Sequence, residues 1–226
     1  MLITPESFAR MVDISALRTV DTEWDMRLLA DTAMTYRFKC VFALSSHIPL
    51  LLDLLRDTGT GVGAPIGFPS GAEMTEFKAM QARRLAELGC DEFDMVMNIS
   101  WLKSGKFREA ERDIAAVRDA IGARPLKVIV ESMYLTESEL ADACKIVMDS
   151  GADYIKTGTG WAPAPTELRH VEIIARETAG KIRIKAAGGI RDLDTVRRMC
   201  EMGVTRFGVS VRTGISLMEE LISETS

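Results

Sequence analysis

A chain of 226 residues with 47% hydrophobic and 27% charged side chains has the composition of an ordinary globular protein, which excludes disorder, collagen and coiled coil. At this length roughly 70% of the unfolded surface can be buried, so a core needs neither disulfides nor a structural metal. The 28 basic and 33 acidic residues give a net charge of -5, which argues against nucleic acid as a partner, and no run approaches the roughly 18 apolar residues of a membrane span.

The segment Met1–Val12 carries Glu6 and Arg10 in place of the apolar run of a secretory leader. Cys40, Cys90, Cys144 and Cys200 lie far apart with no CxxC pair, so reduced thiols in a cytoplasmic protein are expected. His47 and His170 form no cluster with cysteine, which argues against a tetrahedral zinc site and a Ser/His/Asp triad; no metal is expected.

In chain order the β-rich runs are Met11–Ala16, Lys39–Ala43, Val62–Ile66, Glu92–Met97, Leu126–Val130, Tyr154–Thr157, Arg183–Ala186 and Arg206–Val209. Helical stretches separate them. Glu73–Leu88 has Met74, Phe77, Met80, Ala82 and Leu85 at helical spacing, read as core packing, with Gly89 to end it. Thr136–Glu139 has the pattern of a capping box, Leu140–Asp149 leads to Gly151, and Leu193–Met202 leads to Gly203. Strand and helix alternate eight times without long gaps, the rhythm of an α/β chain with an all-parallel sheet. The expectation is one domain over residues 1–226, a (β/α)8 TIM barrel near the compact end of that range. The runner-up, a doubly wound open sheet, calls for an early G-x-G-x-x-G that Gly59–Gly63 does not supply.

Three charges interrupt strands expected to be continuously apolar: Asp94, Lys156 and Lys185. One reading is a structural Asp–Lys pair inside the barrel. The other is chemical: burial and a neighbouring ammonium both favour a neutral lysine amine, the form that attacks a carbonyl, while a carboxylate such as Asp94 moves protons. The residues alone do not say which lysine would attack. Gly188–Gly189 and Gly208–Val209–Ser210 follow the seventh strand and close the eighth, where barrels often hold a phosphate on backbone N–H groups.

These stretches, together with Gly67–Gly71, Asp91–Ile99, Leu102–Gly105, Lys127–Glu131, Gly151–Thr157 and Lys185–Arg191, resemble the deoxyribose-phosphate aldolases, class I aldolases on a (β/α)8 barrel. The resemblance runs from about Asp13 to Glu220. It implies that Lys156 forms the Schiff base, Lys185 lowers its pKa and Asp94 joins the proton relay. It places Gly160, Gly188, Gly189, Gly208 and Ser210 at the substrate phosphate. It further implies reversible cleavage of 2-deoxy-D-ribose 5-phosphate to acetaldehyde and D-glyceraldehyde 3-phosphate, no metal or organic cofactor, and, since family members are often dimers, a homodimer.

The chain departs from the family pattern at several positions. Lys156–Thr157–Gly158–Thr159–Gly160–Trp161 replaces Lys-Thr-Ser-Thr-Gly-Phe, and Ser210–Val211 followed by Arg212 replaces a serine pair. Phe42–Ala43–Leu44 replaces a polar segment, and Asp13–Thr19 only partly keeps the motif D-H-T-x-L-K-P. The tyrosines are Tyr36, Tyr134 and Tyr154, with none in the C-terminal place some members use for proton transfer. Arg212 is read either as a phosphate contact or as a solvated helix-start residue, and Trp161 either as a cover over substrate or as a packing residue. Two alternatives accompany the leading reading: a Schiff-base aldolase for another aldehyde or ketone donor or acceptor, and a non-catalytic barrel that binds a sugar phosphate.

Overall fold

The computed structural model describes residues 3–225; Met1, Leu2 and Ser226, at the ends of the expected 1–226 domain, lie outside the described residues. Eight strands form a closed barrel in sequential order: β1 (Val12–Ala16), β2 (Cys40–Ala43), β3 (Gly61–Ile66), β4 (Glu92–Val96), β5 (Leu126–Ile129), β6 (Tyr154–Lys156), β7 (Arg183–Ala187) and β8 (Val204–Ser210). Every neighbouring pair is parallel, including β1 with β8. The expected (β/α)8 fold is therefore the observed one. Strand ends differ from the sequence reading by a residue or two, most at β8, which starts at Val204.

The helices are α1 (Pro5–Met11), α2 (Glu23–Tyr36), α3 (Ile48–Leu54), α4 (Thr75–Leu88), α5 (Ile99–Lys103), α6 (Phe107–Ile121), α7 (Glu137–Asp149), α8 (Leu168–Thr178), α9 (Leu193–Glu201) and α10 (Val211–Thr225). α7 begins with the expected capping box: Thr136 Oγ1 accepts from Glu139 N at 3.3 Å, and Thr136 N donates to the Glu139 carboxylate at 2.8 Å. Gly89 ends α4 in the left-handed conformation at φ 111°, as its position predicts.

The strands do not read as continuous apolar runs. Successive side chains of a strand point to opposite faces. One set (Ile14, Val41, Val62, Ala64, Phe93, Met95, Val128, Ile155, Ile184, Phe207) joins the apolar core between barrel and helices. The alternate set, which includes Asp13, Glu92, Asp94, Lys127, Lys156, Lys185 and Arg206, fills the barrel interior with charge, and each of these seven is buried. Sequence reading found only three of them.

α4 corrects another expectation. Met74, Phe77 and Met80 are 57%, 53% and 61% exposed, whereas Lys78 is 1% exposed and shares the inner face with Ala82, Leu85 and Ala86. The helix is rotated so that Lys78, not the methionines, faces inward. Its Nζ donates to Asp113 Oδ2 at 2.7 Å on α6 and to the Val96 carbonyl at 3.1 Å at the end of β4. A directed ion pair thus overrides apolar periodicity and ties two helices to the strand that carries Asp94.

Candidate active site

The C-terminal ends of the strands open into a cavity of about 690 Å³. Asp94, Lys156, Lys185, Gly160, Gly188, Gly189, Gly208, Ser210 and Arg212, every site residue singled out in the sequence, line this one cavity. Lys156 ends β6 and faces Lys185 across the β6–β7 ladder, where the two are direct register partners. Lys156 Nζ donates to Asp94 Oδ2 at 2.7 Å, and Lys185 Nζ donates to the same oxygen at 2.7 Å and to Asp13 Oδ2 at 2.6 Å.

Deeper in the barrel the charges continue. Arg206 donates through Nε to Asp13 Oδ1 at 2.8 Å and through Nη2 to Glu92 Oε2 at 2.7 Å. Lys127 Nζ lies 2.7 Å from Glu92 Oε2 and 3.1 Å from Asp94 Oδ1. Neither Lys127 contact has hydrogen-bond geometry, so Lys127 Nζ and Asp94 Oδ1 are held by charge alone. A register irregularity between Ile184 and Lys185, where β7 meets β8, sets Lys185 opposite Arg206. Asp13, Glu92, Lys127 and Arg206 went unnoticed as site residues in the sequence. The signal that finds them is alternation within Val-Asp-Ile-Ser-Ala, Glu-Phe-Asp-Met-Val, Leu-Lys-Val-Ile and Val-Thr-Arg-Phe-Gly-Val-Ser.

Burial is the largest influence on Lys156 and brings its amine down to about 8; Lys185 and Lys127 push the same way, while Asp94 opposes by charge and hydrogen bond. Burial works against a charged Asp94, but Lys127, Lys156 and Lys185 outweigh it and hold the carboxyl well below the usual range. Burial likewise disfavours the Lys127 ammonium, and Asp94, Asp13 and Glu92 overcome it and raise the group above the ordinary lysine value. The result is a carboxylate that stays ionised beside an amine that titrates near neutrality.

Asp13, Cys40 and Glu92 bring three potential metal-binding atoms within 4.8 Å of one another. Both carboxylates already face cations, and burial pushes the Cys40 thiol well above its ordinary range, so this donor set does not fit a metal ion.

The loops after β6 and β7 have the conformations their glycines allow. Gly160, Gly188 and Gly189 adopt φ of 80°, 95° and 88°. A Cβ at Gly189 would come within 2.5 Å of Pro165 Cβ. Ser210 ends β8, and its hydroxyl accepts from Thr213 N at 3.2 Å in the first turn of α10. Arg212 is exposed at the cavity rim.

A family model described as DeoC/LacD family aldolase matches residues 16–216. The chain belongs to that family. It is accordingly an aldolase, a carbon–carbon lyase. A curated deoxyribose-phosphate aldolase of Sinorhizobium medicae is 43% identical over 219 residues, covering 96% of this chain and 88% of that protein. One of Klebsiella pneumoniae is 40% identical over 221 residues, covering 96% and 89%. Among solved structures, a deoxyribose-phosphate aldolase described as putative from Coccidioides immitis superposes with a TM-score of 0.91 at 32% identity, over 95% of this chain and 85% of that one. A deoxyribose phosphate aldolase of Aeropyrum pernix, described as tetrameric, gives 0.88 at 25% identity over 98% and 93%.

The positions singled out in the sequence as unusual have distinct local surroundings. A Cβ at Gly158 would meet Met133 Cε at 2.5 Å and Glu131 Oε1 at 3.0 Å, so the neighbours leave this position no room for a side chain. Glu131, in the left-handed conformation at φ 47°, accepts from Thr159 N at 3.0 Å and from the Thr159 hydroxyl, which fixes the loop after β6. Phe42 enters the barrel interior, where its ring fills the space beside Gly63 and lies 4.3 Å from Lys185 Nζ and 4.9 Å from Lys127 Nζ. Trp161 closes one wall: its Nε1 donates to the Leu17 carbonyl at 3.2 Å, the Phe68 ring meets it edge-on at 5.9 Å, and the Arg18 guanidinium lies 5.5 Å from its ring centre. None of the three tyrosines is among the lining residues.

Proposed function

We propose that this aldolase reversibly cleaves 2-deoxy-D-ribose 5-phosphate to acetaldehyde and D-glyceraldehyde 3-phosphate through a Schiff base on Lys156. One observation carries the reading: a buried amine brought down to about 8 shares a single carboxylate oxygen with a second lysine at the floor of the cavity. A purely structural ion pair has no need of two ammoniums on one oxygen.

The neutral Lys156 amine adds to the C1 carbonyl of the open-chain sugar. Asp94, directly or through a water, relays the N–H proton to the carbinolamine oxygen, and a further proton from solvent lets that hydroxyl leave as water to give the iminium. Loss of the C3 hydroxyl proton to a water then lets the C2–C3 electron pair move into the iminium, releasing D-glyceraldehyde 3-phosphate and an enamine. Protonation at C2 and hydrolysis free acetaldehyde and the amine. Lys185 beside the nitrogen pushes the Lys156 amine down and so favours its neutral form before attack.

The phosphate is assigned to the N–H groups of Gly160, Gly188 and Gly189, the small Gly208 and Ser210, the start of α10 and the Arg212 charge. Their convergence on one cavity rim supports this, as does the helix start that follows β8 directly. The reading includes a single barrel domain, a cytoplasmic setting, consistent with four free cysteines, and a homodimer that sedimentation velocity would read directly. The decisive assay is retro-aldol turnover of 2-deoxyribose 5-phosphate with borohydride trapping and peptide mass spectrometry. The expected result is turnover and an adduct on Lys156; no adduct there together with full activity of Lys156→Ala would overturn it. Because Gly158, Trp161, Val211 and Phe42 alter the cavity's surroundings, a donor and acceptor panel belongs in the same assay. Product from another aldehyde pair but none from acetaldehyde and glyceraldehyde 3-phosphate would keep the Schiff base and replace the substrate.

A further inference from the structure

The interior charges form a closed circuit. Asp13 pairs with Lys185, Lys185 with Asp94, Asp94 with Lys127, Lys127 with Glu92, Glu92 with Arg206, and Arg206 with Asp13 again, at distances from 2.6 to 3.1 Å. Three anions alternate with three cations, so the circuit is neutral. Lys156 is a seventh charge outside it, paired among the described residues only with Asp94, through Oδ2. Protonated Lys156 therefore leaves one uncompensated positive charge in a low-dielectric interior, and neutral Lys156 leaves none. Lys185 and Lys127 each bridge two carboxylates, so loss of a proton from either would open the circuit and weaken two pairs, whereas Lys156 gives up one. The circuit distinguishes Lys156 from Lys185, which the sequence left open.

Three members of this circuit, Lys127, Glu92 and Arg206, lie away from the cavity, and the last two do not touch Asp94. Glu92 opens β4 and Arg206 sits two residues before Gly208 on β8, and neither lines the cavity. We propose that Arg206 and Glu92 are positioning residues for the aldol reaction, a remote pair whose charges close the circuit and so fix which amine is left free to lose its proton. The proposal rests on the Schiff-base reading of Lys156 above. Both residues act through Asp13 and Lys127, not by touching substrate.

The other groups facing Lys156 and this pair are few. β1 contributes Asp13, β2 the Cys40 thiol, β4 Asp94 beside Glu92, β5 Lys127, β6 Tyr154 below Lys156, and β7 Lys185 with the half-exposed Arg183 at its start. β3, Gly61–Ile66, brings no titratable side chain. Cys40 stays a neutral thiol because burial disfavours its thiolate, with Asp13 and Glu92 adding to the effect. The sign of any change at Glu92 or Arg206 is thus set by the circuit itself.

The test measures the rate of reductive trapping of acetaldehyde by cyanoborohydride against pH, with the adduct located by peptide mass spectrometry. Glu92→Gln removes an anion and lowers the midpoint of the Lys156 amine by about one pH unit. Arg206→Met removes a cation and raises it by about one unit, a roughly tenfold slower trapping at a pH below both midpoints. Arg206→Lys keeps the charge and holds the midpoint near the parent value, and the Glu92→Gln/Arg206→Met double variant returns towards it. Unmoved midpoints in both single variants, with the adduct still on Lys156, would make the pair merely structural and overturn the proposal. No adduct on Lys156 in the parent would instead overturn the Schiff-base reading. If only one single variant folds, its shift decides; if neither folds, the pair serves folding and the proposal falls.

Discussion

Lys156 and Lys185 donate to one and the same atom, Oδ2 of Asp94, each at 2.7 Å. Two ammoniums on one oxygen repel each other, and burial leaves little water to screen them, so the cluster favours giving up one proton.

The first expectation is a pH profile. With the Lys156 amine at about 8, kcat/KM for cleavage rises with pH through that value and levels above it, because only the neutral amine attacks; at pH 7 about one amine in ten is neutral. Lys185→Met withdraws a repulsion and moves the midpoint upward. A flat profile from pH 6 to 9, measured with the parent enzyme, would contradict this.

Gly208 lies against the same cluster. A Cβ there would stand 3.2 Å from Lys185 Cε and 3.0 Å from Ala187 Cβ, so Gly208→Ala pushes on a lysine that has no slack. The expected result is a roughly 10- to 100-fold fall in kcat. The melting temperature should move by only about 2–4 °C, as measured by calorimetry. Unchanged kcat would show that the lysine tolerates the displacement.

Gly158→Ser brings a side chain into Met133 Cε and should cost about 1–3 kcal/mol in urea denaturation. Met133→Ala opens the space, so the double variant should recover part of that loss relative to Met133→Ala alone. Strict additivity of the two changes would contradict the contact.

Asp113 and Lys78 are completely enclosed in their side chains and pair at 2.7 Å. Asp113→Ala leaves a buried ammonium unpaired and should destabilise the fold by about 3–5 kcal/mol. Replacing both partners, Lys78→Met with Asp113→Leu, should be much less harmful. Equal losses in the two variants, read from chemical denaturation, would show that charge is not the issue.

Much of this was legible in one dimension. The eight-unit rhythm is a property of local periodicity, and Asp94, Lys156 and Lys185 stood out because each sits inside an apolar run. Asp13, Glu92, Lys127 and Arg206 did not, since a charge near the start of a short strand looks like its boundary. Their meaning comes from barrel closure, which brings Arg206 to Asp13 across 193 residues of chain. Met74, Phe77 and Met80 misled for a related reason: apolar spacing could not show that Lys78 has Asp113 waiting on another helix. The left-handed Glu131 had no sequence signature, because its conformation answers to Thr159 on the next loop.

The charged residues of the interior belong to strands, whose places are set by backbone ladders all round the barrel, whereas Gly158, Trp161, Arg18 and Arg212 belong to the segments that follow strand ends. The two groups can therefore drift independently. On the Schiff-base reading, changes in the rim would alter which aldehyde is accepted and leave the buried amine and its charge partners in place.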